Sequence, residues 1–172
     1  MSTAINQKLD RRDLLRFTNY GIAALLLTVM DMTVLEFFAV ANISPDFLII
    51  LIVWIALREG QFRAVFAGFL IGLFFDVLTM DVIGTNALTK TIAAFVAGYF
   101  FKEDEIRKRI GSFFFLLIVL GTSLIHNLFY LFFYLKYSEA SFLVFYLKYG
   151  MASALYTTII AVFPMLFKIA KK

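Results

Sequence analysis

Six apolar stretches, separated by short polar breaks, constrain this chain more than anything else in it. They run over residues 17–39, 45–57, 62–78, 85–101, 110–135 and 142–167. A bilayer core about 30 Å thick takes roughly 20 apolar residues per helical crossing. The first, fifth and sixth stretches meet that length alone. The second is short, and the third and fourth are marginal. Short segments can sit inside a bundle, thin the bilayer or form a helical hairpin that does not fully span. The expected architecture is an all-α integral membrane protein, a polytopic bundle of about six transmembrane helices forming one membrane domain over residues 1–172. Five crossings is the alternative. Composition agrees, with 62% hydrophobic and 16% charged residues, against roughly 45–50% and about 25% in soluble domains. That leaves too little polar surface to coat a water-soluble globule, and it excludes a disordered region or a coiled coil. With no cysteine, a disulfide framework, a thiolate metal site and a cysteine nucleophile are excluded as well.

The basic residues test the crossing count independently. Lys8, Arg11, Arg12 and Arg16 lie in the arm 1–16, and Arg58 and Arg63 in the break before the third stretch. Lys102, Arg107, Lys108 and Arg109 precede the fifth stretch, and Lys168, Lys171 and Lys172 follow the sixth. With six crossings these all fall on one side, leaving only Lys90, Lys136 and Lys148 of the 16 for the other. Cytoplasmic loops carry the excess of Lys and Arg, so both termini are expected in the cytoplasm. The same bias accounts for the net charge of +4 without a nucleic-acid partner. Asp31 and Glu36 stand where a signal-peptide cleavage site would be expected, so the first stretch is expected to be retained as an anchor.

The informative segment runs from residue 43 to residue 101. Ser44-Pro45-Asp46 suits a helix start, with Ser44 as cap, Pro45 in the first turn and Asp46 complementing the dipole. Small residues then recur every four positions, at Gly60, Ala64, Gly68 and Gly72, and end at Asp76. Steps of four keep to one slowly drifting helix face. Gly68 and Gly72 form a GxxxG, which lets two helix backbones approach closely in lipid. The stripe is expected to pack on a helix, either internal or in another chain. After it, Gly84 is expected to supply a turn conformation that other residues resist.

Several polar residues fall at matched depth. Asp31 and Asp76 each lie roughly 21 Å from the cytoplasmic boundary of their stretches, and His126 roughly 24 Å, at 1.5 Å rise per residue. Lys90 and Lys148 begin just inside the outer ends of theirs. A buried charge in lipid usually has a partner or a task. Asp31, Asp76, Lys90, His126, Asn127 and Lys148 are therefore a candidate polar cluster in the outer half of the bilayer. It requires a Lys or His nitrogen within ion-pair reach of Asp31 or Asp76. The alternative is that the lysines snorkel and the acids face the headgroups. One histidine with scattered acids lacks metal-site spacing, and no Ser nucleophile stands beside a base. No cofactor, metal or catalytic residue is expected.

The run from Pro45-Asp46 through Trp54 to Arg58-Glu59-Gly60, then Gly68-Phe69-Leu70-Ile71-Gly72-Leu73-Phe74-Phe75-Asp76, then Gly84 and Ala87-Leu88, resembles the rod shape-determining protein MreD family. The resemblance covers about a third of the chain by motif and the rest by hydropathy. It implies a non-catalytic protein of the bacterial inner membrane, in the cell-elongation machinery that maintains cell shape. The implied partners are the bitopic scaffold MreC and, through the complex, MreB filaments, RodA and its penicillin-binding transpeptidase. Pro45, Asp46, Gly68, Gly72, Asp76 and Gly84 carry over as motif residues. A different class of protein fits the size and crossing count too: the substrate-binding, vitamin-capturing subunits of energy-coupling-factor transporters, whose fold this one is expected to share. An outer-half polar cluster is where such a ligand would sit.

Overall fold

The computed structural model describes residues 11–33, 43–80, 82–135 and 141–170. Among these the regular structure is helical. α1 is Arg11–Thr33, α2 is Phe47–Glu59, α3 is Gln61–Thr79 and α4 is Thr85–Gly98. A short α5, Ile106–Ile110, precedes α6, Phe113–Tyr134. α7 runs over Phe142–Phe167, with a π-helical turn at Tyr146–Gly150 and a break at Ala161. Pro164 lies four residues after Ile160, so it removes that carbonyl's helical partner and interrupts the helix there.

α3, α6 and α7 are long and apolar enough to cross a membrane. Their outward faces carry large apolar side chains, among them Phe62, Phe66, Phe113, Phe132, Phe163 and Phe167, each more than half exposed. Apolar surface on this scale belongs against lipid, not water. α2 is the opposite: its 13 residues are almost wholly enclosed. At 1.5 Å per residue it is about 20 Å long, and it serves as the central post on which the other helices pack.

The helix boundaries depart from the sequence expectation at three places. Asp46, not Ser44, caps α2, because its carboxylate accepts the Ile49 N–H at 3.0 Å. Pro45 therefore lies before the helix, and the Ser44 carbonyl accepts the Ser153 hydroxyl of α7 at 2.8 Å. Gly60 is not on the stripe. It is the turn between α2 and α3 at φ +88°, a conformation that side chains resist. The fifth apolar stretch starts as α5, separated from α6 at Gly111-Ser112. Residues 34–42, and with them the end of the first stretch, lie outside the described residues.

α3 and α4 form an antiparallel hairpin whose spacing is set by absent side chains. A Cβ on Gly72 would meet the Asn86 carbonyl and lie 2.6 Å from Ala87 Cα; one on Gly68 would lie 2.8 Å from the Lys90 carbonyl. At the far end a Cβ on Gly98 would lie 2.6 Å from Gln61 Cα. Each step of four back along α3 is matched by a step of four forward along α4. Ala64, Gly68, Gly72 and Asp76 are all buried. The stripe thus faces a helix of its own chain.

α1 packs on the bundle along one face, through Tyr20, Ala24, Leu27, Thr28 and Asp31. Tyr20 donates to Glu59 at 2.9 Å, and Arg16, Arg58 and Arg63 lie 3.5, 3.7 and 3.2 Å from the same buried carboxylate. Apolar grooves flank that packed face on both sides. An apolar groove of about 430 Å³ on one side is lined by Phe17, Gly21, Phe66 and Leu70. A second of about 430 Å³ lies on the other side, against Leu51 and Trp54. In the short segment before α6, Arg109 pairs with Glu105 at 3.0 Å. That hydrogen bond, with Lys102 nearby, holds the exposed Glu105 carboxyl below its ordinary pKa.

Gly72→Leu should be strongly destabilising, because the atoms it meets are backbone and cannot rotate away. The loss should exceed the about 1–3 kcal/mol of ordinary overpacking. Gly121→Leu is the control, since nothing lies within 4 Å of a Cβ there. Thermal unfolding in mild detergent compares the two. Equal melting of Gly72→Leu and the unsubstituted protein would refute the packing assignment.

Candidate functional site: a buried polar centre

The centre is assembled by α2, α4 and α6, with α1 at its edge. The α4 residue Lys90 has a side chain only 2% exposed. Its ammonium donates to Asp46 Oδ2 at 3.1 Å and to Asn86 Oδ1 at 3.0 Å, and it lies 5.0 Å from the Phe75 ring centroid. Asn86 sits one turn before Lys90 on the same helix, which is why its amide reaches that nitrogen. Both Asp46 oxygens are engaged, since Oδ1 caps α2 while Oδ2 takes the ammonium. The Asp46 N–H is held by the Thr157 hydroxyl of α7 at 2.9 Å. One residue, through its carboxylate and its N–H, therefore joins α2, α4 and α7.

α6 supplies His126 and Asn127. His126 Nδ1 lies 3.2 Å from Asn127 Oδ1 and 3.8 Å from Asp46 Oδ2. Asn127 Nδ2 donates to the Gly150 carbonyl at 2.8 Å, within the π-helical turn of α7. That bond fixes which end of the amide faces the histidine. In the neutral ring it places the proton on Nδ1 and leaves Nε2 as an acceptor. The ring also stacks on Tyr130, with centroids 6.0 Å apart.

Asp31, on α1, borders the same space. It is 7% exposed, its Oδ1 has no hydrogen-bond partner among the described residues, and the charges it faces are those of Asp46 and Lys90. Asp31, Asp46, Asn86, Lys90, His126 and Asn127 share a cavity of about 170 Å³. A neighbouring space of about 130 Å³ shares Ser44, Asn127 and Ser153 with it.

Two members of the expected cluster lie elsewhere. Asp76 is fully buried, but it accepts the backbone N–H groups of Gly84, Asn86 and Ala87 at 2.9, 3.1 and 3.1 Å. It thereby caps α4 from outside the helix. The open amides of a helix start attract a carboxylate, so Asp76 has no call on a lysine. Gly84 makes the approach possible with φ +100°. Lys148 is exposed, 5.1 Å from the Tyr149 ring centroid. The Lys and His nitrogens expected to meet Asp31 or Asp76 instead meet Asp46. Its place at a helix start had suggested only a dipole role. Asn86 and Glu59 were missed as well. A side-chain amide one turn before a buried lysine, and a lone acid among three arginines, were the available signals.

Fold and centre together define an all-α integral membrane protein built around a buried polar core. The family of the rod shape-determining protein MreD matches residues 12–172, and the chain belongs to that family. Its role is therefore in rod-shape determination. No curated protein matches the chain, and no solved structure does.

Removing one partner of a buried ion pair costs about 3–5 kcal/mol. Lys90→Met and Asp46→Asn should each lose stability on that scale, Asn being chosen because it can still cap Ile49. The double variant should lose clearly less than the sum. Additive losses in detergent unfolding would show that the pair is not coupled.

Proposed function

We propose that this protein is a non-catalytic adaptor of the bacterial elongation machinery, in the inner membrane. It crosses six times as one membrane domain, with both termini in the cytoplasm. It links an MreC-type bitopic scaffold to MreB filaments and to the peptidoglycan synthases RodA and its penicillin-binding transpeptidase. The observation that carries this reading is the family match over residues 12–172.

The packing of α1 supports it. A bitopic scaffold offers one transmembrane helix, and that helix needs a long apolar groove. The groove between α1 and α3 has this character, and Gly21 leaves its floor open, with nothing within 4 Å of a Cβ. Lipid gives little hydrophobic drive for helices to associate, so shape and close backbone approach decide the contact.

Gentle purification of the tagged protein from its native membrane should bring down the scaffold and the synthases. Gly21→Trp should keep normal accumulation but lose the scaffold at least about tenfold, a loss of about 1.4 kcal/mol. Recovery of ATP-binding cassette subunits in place of the scaffold would contradict the adaptor reading.

A further inference from the structure

The 170 Å³ cavity carries more polar chemistry than a structural ion pair needs. Asp46 and Lys90 satisfy each other, yet three buried groups beside them have atoms with no partner among the described residues: Asp31 Oδ1, His126 Nε2 and Asn86 Nδ2. Their residues are 7%, 3% and 3% exposed. Leaving such atoms unpaired in a dry interior costs about 1–3 kcal/mol each, more where the group is charged.

The identities of the three atoms are fixed by their neighbours. Lysine can only donate, so the Asn86 oxygen faces Lys90 and the unpaired atom is the NH₂ donor. His126 Nε2 is an acceptor because Nδ1 carries the proton toward Asn127. Asp31 Oδ1 is a carboxyl oxygen and can accept. Two carboxylates, Asp31 and Asp46, face a single ammonium. The cavity thus offers two acceptors, one donor and a carboxyl group, Asp31, that has no cation of its own.

We propose that this cavity binds a small molecule or headgroup that carries a primary ammonium with an oxygen acceptor close beside it, as in an amino alcohol or amino acid. The ammonium pairs with Asp31 as its carboxylate and donates to Asp31 Oδ1 and His126 Nε2. The oxygen accepts from Asn86 Nδ2. A bare metal ion would leave the Asn86 donor unpaired, and a simple alkylamine would too. The space equals that of about five or six water molecules at about 30 Å³ each, which suits a group of this size. Two sources share the chemistry: a free solute and the headgroup of an aminolipid.

The test uses the full-length protein in nanodiscs of phosphatidylglycerol, titrated with ethanolamine and followed by equilibrium dialysis of labelled ligand. Ethanolamine should bind saturably. Propylamine, which lacks the oxygen, should bind at least about tenfold more weakly, and ethylene glycol, which lacks the charge, should not bind. Asp31→Asn should weaken ethanolamine at least about tenfold, as expected for losing a charged hydrogen-bond partner. Asn86→Asp keeps an acceptor for Lys90 but removes the donor, so it should abolish the preference for ethanolamine over propylamine. That comparison decides the matter if Asp31→Asn does not accumulate. Non-saturable uptake, equal binding of ethylene glycol, or an unchanged preference in Asn86→Asp would overturn the proposal. Repeating the titration with phosphatidylethanolamine in the discs separates the sources. Blocked ethanolamine binding identifies the headgroup, and unchanged binding identifies the free solute.

Discussion

The Asp76 carboxylate, buried and ringed by three backbone N–H groups, is the contact on which the rest of the centre depends. A membrane interior offers no water to pair with a helix start. Asp76 supplies from α3 the acceptors that the first turn of α4 lacks. In doing so it fixes where α4 begins relative to α3. The glycine stripe carries that register down the hairpin, Gly72 against Asn86 and Ala87, Gly68 against Lys90. Lys90 then has one place to send its ammonium, toward Asp46 at the start of α2. The motif glycines and acids are thus successive parts of one registration device.

Much of this was legible in the sequence, and the reasons are physical. Membrane residence follows from chain-wide apolarity. The close-packing face follows from four-residue spacing, because a helix brings i and i+4 onto one side. The left-handed turn at Gly84 follows from an isolated glycine after an acid-terminated helix. The pairing of the polar groups was less accessible. Depth along a helix places two residues at the same height but says nothing of rotation about the axis, so Asp76 and Lys90 shared a level without sharing a contact. In the sequence Asp46 reads only as a dipole-complementing motif acid and not as a member of the polar cluster, because a helix-starting acid has a sufficient local explanation. Only the fold reveals that its second oxygen is engaged elsewhere.

The centre also bears on the role of a shape-determining protein. The proposed adaptor role calls for a rigid body, and a polar core that links α2, α4, α6 and α7 gives rigidity through hydrogen bonds. α1 packs through a single narrow face and is flanked by grooves. Its Asp31 borders the cavity, so the proposed ligand and the packing of α1 share a residue.

Amide hydrogen exchange at residues 84–87 tests the registration account most directly, comparing the unsubstituted protein with Asp76→Ala. Loss of a charged acceptor serving three N–H groups, at about 1.5–3 kcal/mol for a charged hydrogen bond, predicts exchange at Gly84, Asn86 and Ala87 at least about tenfold faster. The Ile49 amide, capped by Asp46, should change far less. Unaltered exchange across 84–87 in Asp76→Ala would contradict the account, because the start of α4 would then be held by something other than that carboxylate.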